Sequence, residues 1–360
     1  RNMVRKIFPI LALAALLTFL AGCGGEETPT GGGGGGVTQE KFDTLYSLFF
    51  VDNSEGWAVG ENSAIVHTLD GGQTWESQTE NVKWLAEGDN KYILWCVKFT
   101  DPQTGWIVGG SADGKKGVLL KTTDGGNTWT EMELPSEGQG TVLRSITLHS
   151  DPSAGKAAWI VGLGGLVLYS DDGGNTWVKQ DSTVTKDLYS VSSIGYYKQG
   201  WKVWAVGQDG TIIYTSDGIT WEEQKSGIPT SLQKVFFTNT SQTEKQFRGW
   251  AVGVNGVVRT TSDFGQKWIP QVAAEPGEHL RSVFFVEKTQ IGWIVGDGGL
   301  VRYTNNGGKD WRPRASGVFK TLYDVYFVNT SEGWAVGKDG VIIHTSDSGS
   351  HWDILRGSAF

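Results

Sequence analysis

Two cysteines, two methionines and nine prolines are all that 360 residues contain of those types, and only 19% of the chain is charged. Two cysteines cannot build a disulfide framework, which needs at least four. Cations are the scarcer charge: 31 Lys and Arg stand against 39 Asp and Glu, a formal net charge of −8. The basic face of a nucleic-acid binder is therefore missing. The longest apolar run, Ile7 to Ala21, is 15 residues and contains Pro9, short of the ~20 that span a bilayer as a helix. Beyond residue 36 no segment shows helical periodicity of useful length. What is abundant is glycine, with 52 residues, and tryptophan, with 17. Aromatic richness excludes disorder, and glycine without a three-residue period excludes collagen.

Arg5 and Lys6 precede the apolar run, which ends in Leu20-Ala21-Gly22-Cys23. A basic start, a short apolar centre and a small-residue cleavage site are the parts of a secretory signal. The last four residues resemble the bacterial lipobox, which implies a diacylglycerol on Cys23 and cleavage before it. Residues 1–22 are then a signal peptide, and loss of Arg1, Arg5 and Lys6 takes the side-chain charge from −8 to −11. Several acyl chains give stable attachment to a membrane. Gly24, in place of Asp, implies by the same resemblance an exported lipoprotein on the periplasmic side of the outer membrane or at the cell surface. Residues 23–42 read as the lipidated Cys and a Gly-rich tether. Its Gly24–Gly36 stretch, six consecutive glycines included, has the composition of a flexible coil with a reach of roughly 20 Å. Cys96, the other thiol, lies in the apolar stretch Tyr92–Phe99 and reads as a buried strand residue.

From residue 43 one unit is written seven times: Leu-x-x-Val-x-Phe, Gly-Trp-Ala-Val-Gly, an apolar triplet, then Thr-x-Asp-Gly-Gly-x-Thr-Trp. The first tryptophan of each unit is Trp57, Trp106, Trp159, Trp204, Trp250, Trp293 and Trp334; the closing one is Trp75, Trp129, Trp177, Trp221, Trp268, Trp311 and Trp352. Units of about 45 residues with four short strands have the size of a propeller blade. The expected fold is all-β: a seven-bladed β-propeller of four-stranded antiparallel blades over 43–360. The blades fall at about 43–86, 87–137, 138–182, 183–228, 229–274, 275–317 and 318–360. In the last, the strands are expected at Leu322–Phe327, Trp334–Val336, Val341–His344 and Trp352–Leu355. Lys338-Asp339-Gly340 marks a hairpin turn, because Asp-Gly suits positive φ at both central positions. No N-terminal strand is evident to latch the ring.

The turns between third and fourth strands resemble the Asp-box, or bacterial neuraminidase repeat. Their leading residues are Asp70, Asp124, Asp172, Asp217, Asp263, Asn306 and Asp347. Asp accepts hydrogen bonds from its own turn, so these are read as structural staples, since a functional site is not normally repeated in every blade. Their spacing lacks the alternating oxygen ligands and closing Glu of a calcium loop. His67 and His344 share a repeat position held elsewhere by Lys, Tyr or Thr, and His149, His279 and His351 have no metal spacing. Neither metal nor cofactor is expected.

Topology selects a face for binding. Loops joining second to third strands, and blade to blade, emerge on one side, beside the start of each innermost strand. The residue after the leading Leu, at the channel mouth, is Tyr46, Trp95, Arg144, Tyr189, Gln233, Arg281 and Tyr323. Six of these seven are aromatic or Arg, types enriched at binding hot spots. The longest inter-blade loop adds Lys83, Trp84, Lys91 and Tyr92, and a lengthened hairpin adds Lys115 and Lys116. The candidate partner-binding set is Tyr46, Trp84, Trp95, Arg144, Tyr189, Arg281 and Tyr323.

Over residues 43–355, behind the lipobox, the repeat resembles the photosystem II stability and assembly factor family. That resemblance implies a non-enzymatic seven-bladed propeller holding a newly made reaction-centre subunit through a basic patch on Leu-Arg-Ser/Asp-Val inner strands. Leu143-Arg144-Ser145-Ile146 and Leu280-Arg281-Ser282-Val283 match; the other inner strands carry Tyr, Trp or Gln at the Arg position. The expected activity is non-catalytic binding of a protein partner, an extended or membrane-protein segment, by a monomer, with the membrane engaged through Cys23 and no nucleic acid. The alternatives are a cell-surface glycan-binding protein and an Asp-box glycoside hydrolase of sialidase type. A sialidase needs three converging arginines, the first in an Arg-Ile-Pro motif, and the first unit contains no Arg between Thr44 and Trp75. An ordinary glycosidase needs two facing carboxylates, and the inner strands offer only Asp324.

Overall fold

The computed structural model describes residues 42–82, 85, 91–151, 155–196, 200–241 and 246–360. The expected signal peptide, Cys23 and the expected tether up to residue 41 lie outside them, as do Lys83 and Trp84. Seven four-stranded antiparallel sheets follow one another, each pairing its own four strands in chain order. Each sheet falls within one sequence repeat, so the fold is a seven-bladed β-propeller. The longest α-helical segment among the described residues is the single turn Ser136–Gln139.

In the last blade the strands are Leu322–Phe327, Gly333–Gly337, Ile342–Thr345 and Asp353–Arg356. The outermost begins one residue later than the sequence suggested. Trp352 closes the Asp turn and sets its ring edge-on to Phe327, 6.0 Å between centroids, so ladder pairing starts at Asp353. The Asp339-Gly340 turn has φ of 54° and 68°, the left-handed pair that a type I′ hairpin requires.

Blades adhere through their tryptophans. At four interfaces within the chain the second-strand Trp of one blade lies flat on the first-strand Phe of the next: Trp57 on Phe99, Trp204 on Phe237, Trp250 on Phe285, Trp293 on Phe327, at centroid distances of 3.4–3.7 Å. Several second-strand indoles donate Nε1–H to an Asp-turn carbonyl of the next blade, Trp159 to Gly218 at 3.1 Å and Trp293 to Ser348 at 3.0 Å. Such a ring buries some 150–250 Å², an upper-bound gain of roughly 4–6 kcal/mol each. The buried apolar residues accordingly form seven clusters, each shared by two neighbouring blades.

Blade seven closes onto blade one by the same means, with no strand exchanged among the described residues. Trp334 stacks on Phe50 and donates to the carbonyl of Gly71 at 2.8 Å. Across the same seam Asp324 accepts from Ser47 Oγ and from the amide of Leu48.

The Asp turns are saturated from within. Asp70 accepts from the Thr74 amide at 2.8 Å, from Thr74 Oγ1 at 2.6 Å and from Thr68 Oγ1 at 2.9 Å. Asn306 keeps the turn by accepting from Thr304 Oγ1 and the Asp310 amide, while its Nδ2 donates to Asp310. His67 and His344 bond Glu55 and Glu332, at 3.3 and 2.6 Å, and pack on Trp57 and Trp334. Among the described residues no three His, Cys, Asp or Glu side chains converge as a metal site.

Candidate functional site

Every inner strand carries a one-residue bulge at the same place. In blade one Leu45 pairs with Gly60 and Ser47 with Val59, leaving Tyr46 unpaired. The same shift leaves out Trp95, Arg144, Tyr189, Gln233, Arg281 and Tyr323. A bulge re-aims its extra side chain away from the regular alternation. The glycine ending each second strand makes this possible. A Cβ at Gly60 would run into the carbonyl oxygen of Thr44, and one at Gly207 into that of Asp187.

All seven bulge residues line one cavity of about 270 Å³ at the channel mouth. Tyr46 touches both neighbours, with ring centroids 4.4 Å from Trp95 and 4.8 Å from Tyr323. Its hydroxyl donates to Glu61 at 2.7 Å, and burial together with that carboxylate pushes its pKa up. The Arg144 guanidinium lies 3.5 Å from the Trp95 centroid and 5.3 Å from that of Tyr189. Burial lowers its pKa to about 10, which leaves it cationic at neutral pH.

Arg144 and Arg281 occupy equivalent positions but differ in partners. Arg281 forms a two-pronged pair with Asp297, 2.7 Å from Nε and 2.9 Å from Nη2. That bond raises the arginine's pKa further, while burial opposes the lowered pKa of Asp297 and the Arg281 bond outweighs it. Asp297 is the residue after the second-strand glycine of blade six; in blade three that place is Leu163. Arg144 accordingly has no ion pair among the described residues, and its buried Nε has no hydrogen-bond partner. The two Leu-Arg-Ser strands thus present one free cation and one neutralised cation.

The bulge also turns a second row into the cavity, which strand alternation had hidden: Ser47, Cys96, Ser145, Ser190, Lys234 and Asp324. Cys96 is buried, as expected, but on the channel side. Asp324 accepts from Lys234 Nζ at 3.2 Å and from Ser282 Oγ at 2.7 Å. Burial opposes its charge, yet Lys234 and Lys98 hold its pKa below the ordinary carboxylate value. For Lys234 burial likewise works against the charge, and Asp324 more than compensates, raising the pKa. Among the described residues no second carboxylate lines this cavity, so Asp324 is a counter-ion here, without the partner a glycosidase acid requires.

Other candidates lie elsewhere. Lys115 pairs with Asp113 at 3.4 Å and Lys116 with Glu131 at 3.1 Å, so the lengthened hairpin is neutralised locally. Tyr92 is buried in the apolar cluster shared by blades one and two. Trp84 falls outside the described residues.

Fold and cavity define the class: a seven-bladed Asp-box propeller whose bulged inner strands build one polar, aromatic and cationic mouth. The profile of the family described as photosynthesis system II assembly factor YCF48 matches residues 37–141, 88–195 and 242–316. The chain belongs to that family. It is 26% identical over 315 residues to the photosystem II assembly lipoprotein Ycf48 of Synechococcus sp. (strain CC9902), covering 76% of this chain and 90% of the relative. A solved structure described as YCF48 bound to D1 peptide superposes with a TM-score of 0.66 at 21% identity, covering 86% of this chain and 93% of the other. The GH74 xyloglucanase of Xanthomonas campestris also reaches a TM-score of 0.66, at 14% identity, covering 89% of this chain and 55% of the enzyme. At such identities both structures establish shared architecture alone.

Proposed function

We propose that this protein is a membrane-anchored, non-catalytic assembly factor that holds an extended segment of a photosystem II subunit across the inter-blade-loop mouth. The observation that carries the reading is Arg144: a cation stacked on Trp95 with no acidic partner of its own, in a mouth built from seven bulge residues. A cation held ready in this way gains most when a carboxylate or carbonyl of a ligand supplies the missing acceptor. Tyr46, Trp95, Tyr189 and Tyr323 supply stacking area, and Arg281, tied to Asp297, shapes the rim. The similar structure described with a D1 peptide supports a polypeptide partner. Anchoring rests on Leu20-Ala21-Gly22-Cys23 and on the word lipoprotein in the relative's name.

Fluorescence anisotropy with a labelled D1 peptide tests the reading. A charge-assisted hydrogen bond contributes about 1.5–3 kcal/mol, so Arg144→Gln should weaken binding about tenfold or more with an unchanged melting temperature. Equal affinity of wild type and Arg144→Gln would remove this mouth as the site. Membrane fractionation of a Cys23→Ala variant tests the anchor separately, with a soluble product expected.

A further inference from the structure

The channel has a second mouth, on the Asp-turn side, that the reading above does not use. It opens into a cavity of about 810 Å³, within the 300–1,000 Å³ range of small-molecule sites. Three residues of one row of the first strands, Phe236, Phe284 and Tyr326, line it, and around the channel that row is chemically divided in two. Blades five, six, seven and one contribute Phe236, Phe284, Tyr326 and Phe49, in unbroken contact at centroid distances of 5.2, 5.0 and 5.0 Å. Blades two, three and four contribute Lys98, Thr147 and Ser192 to the same row. Thr147 Oγ1 bonds Ser193 Oγ at 2.9 Å on that polar side.

Two groups of this row await an acceptor. The Tyr326 hydroxyl makes no hydrogen bond to a described residue, although burial has pushed its pKa up to about 12. The Lys98 ammonium lies 5.3 Å from the Phe49 centroid and 6.0 Å from that of Tyr326. Among the described residues it has no carboxylate within ion-pair distance; the nearby Asp324 is engaged by Lys234. Burial lowers the Lys98 pKa. An aromatic lining with two unmet donors beside it, the Tyr326 hydroxyl and the Lys98 ammonium, specifies a flat apolar body with an acidic edge. Phe236, Phe284 and Tyr326 line the cavity itself, and Ser193 faces them from across it.

We propose that the Asp-turn mouth is a second binding site, independent of the partner mouth, for a planar aromatic acid. Its rings pack on Phe236, Phe284 and Tyr326, and its acidic group is directed inward, toward the Tyr326 hydroxyl and the Lys98 ammonium.

The test is titration of the folded chain with 8-anilinonaphthalene-1-sulfonate, a planar aromatic anion, followed by its fluorescence. Saturation at one probe per chain is expected. Ser193→Trp, which fills the cavity and leaves the aromatic wall intact, should abolish binding, and Lys98→Met should weaken it at least fivefold. Arg144→Gln, at the opposite mouth, should leave it unchanged. Cooperative thermal melting of each variant shows that the probe reports the native state. The proposal is overturned if the native chain gives no saturable signal, if Ser193→Trp binds as wild type, if Lys98→Met has no effect, or if Arg144→Gln abolishes binding. Failure here would leave the peptide result for Arg144 standing, because the two titrations read different mouths.

Discussion

Trp334 lies flat on Phe50, centroids 3.7 Å apart and planes 9° apart, where the last blade meets the first. The contact between Trp204 and Phe237, inside the chain, has 3.5 Å and 11°. The closing seam therefore uses the same contact as a covalently continuous interface. Phe50→Ala and Phe237→Ala should each cost about 4 kcal/mol, and the two should agree within about 1 kcal/mol. Urea denaturation with a two-state fit measures both. A markedly smaller cost at Phe50 would mean that the seam carries less than its geometry implies.

The bulge makes its own prediction. Gly60→Ala forces a methyl group onto the Thr44 carbonyl, and the strand must give up either the bulge or the pairing. A loss of about 3 kcal/mol is expected, the upper range of ordinary substitutions. Gly140→Ala is the control, since its added Cβ meets nothing within 4 Å. That variant should stay within about 0.5 kcal/mol of wild type. Thermal melts of the two variants provide the comparison.

Removing Asp324 would strand two ammonium groups. Lys234 is paired with it at 3.2 Å and Lys98 feels its field. Breaking a buried pair from one side typically costs about 3–5 kcal/mol, so Asp324→Ala should fall near 3 kcal/mol. Asp324→Ala combined with Lys234→Met should recover part of that loss, because the stranded charge goes too. A denaturant-midpoint double-mutant cycle decides it, and strict additivity would show that the pair is not coupled.

The Asp turns predict the acid limb of stability. Bonds from Thr74 lower the Asp70 pKa to about 2. At Asp217 burial opposes the shift, but the amides of Thr220 and Ile219 prevail, again to about 2. His351 does the same for Asp347. An unfolded Asp titrates near 3.9, so the folded pKa is the lower one. The stabilisation is complete above about pH 4 and lost as pH falls towards 2. The melting temperature should be flat in this respect from pH 7 to 5 and fall between 4 and 2. Asp70→Asn, Asp217→Asn and Asp347→Asn together should flatten that fall, Asn306 showing that the turn tolerates the amide.

How much of this was written legibly in the chain differs from residue to residue. Trp57 and Trp334 announced their framework role by recurring at fixed spacing, and seven blades followed. The ring from Tyr46 to Tyr323 was legible from topology, because a four-stranded meander fixes which loops flank the innermost strand. The second row, Ser47, Lys234 and Asp324, was not. Strict strand alternation puts only one of two successive residues on a face, and the bulge breaks that rule. Its trace was visible all the same in Gly60 and its six equivalents, which no side chain replaces in any blade.

Arg144 and Arg281 could not be told apart by their Leu-Arg-Ser strands. The difference lies far along the chain, in Leu163 against Asp297, and depends on a turn folding back over the bulge. Charge counting overstated Lys115 and Lys116 for a related reason: Asp113 and Glu131 are neighbours in space that a list of cations omits.

The seven bulge positions have one more property. Each is preceded by a leucine, Leu45, Leu94, Leu143, Leu188, Leu232, Leu280 and Leu322, fully buried between blades, while the bulge residue itself is excused from the ladder. Stability is thereby assigned to the invariant neighbour and chemistry to the variable one. Substitution at any of the seven places can change what the mouth recognises at little cost to the barrel of blades beneath it. A ring built this way can be re-addressed to a new partner one residue at a time, without passing through an unfolded intermediate sequence.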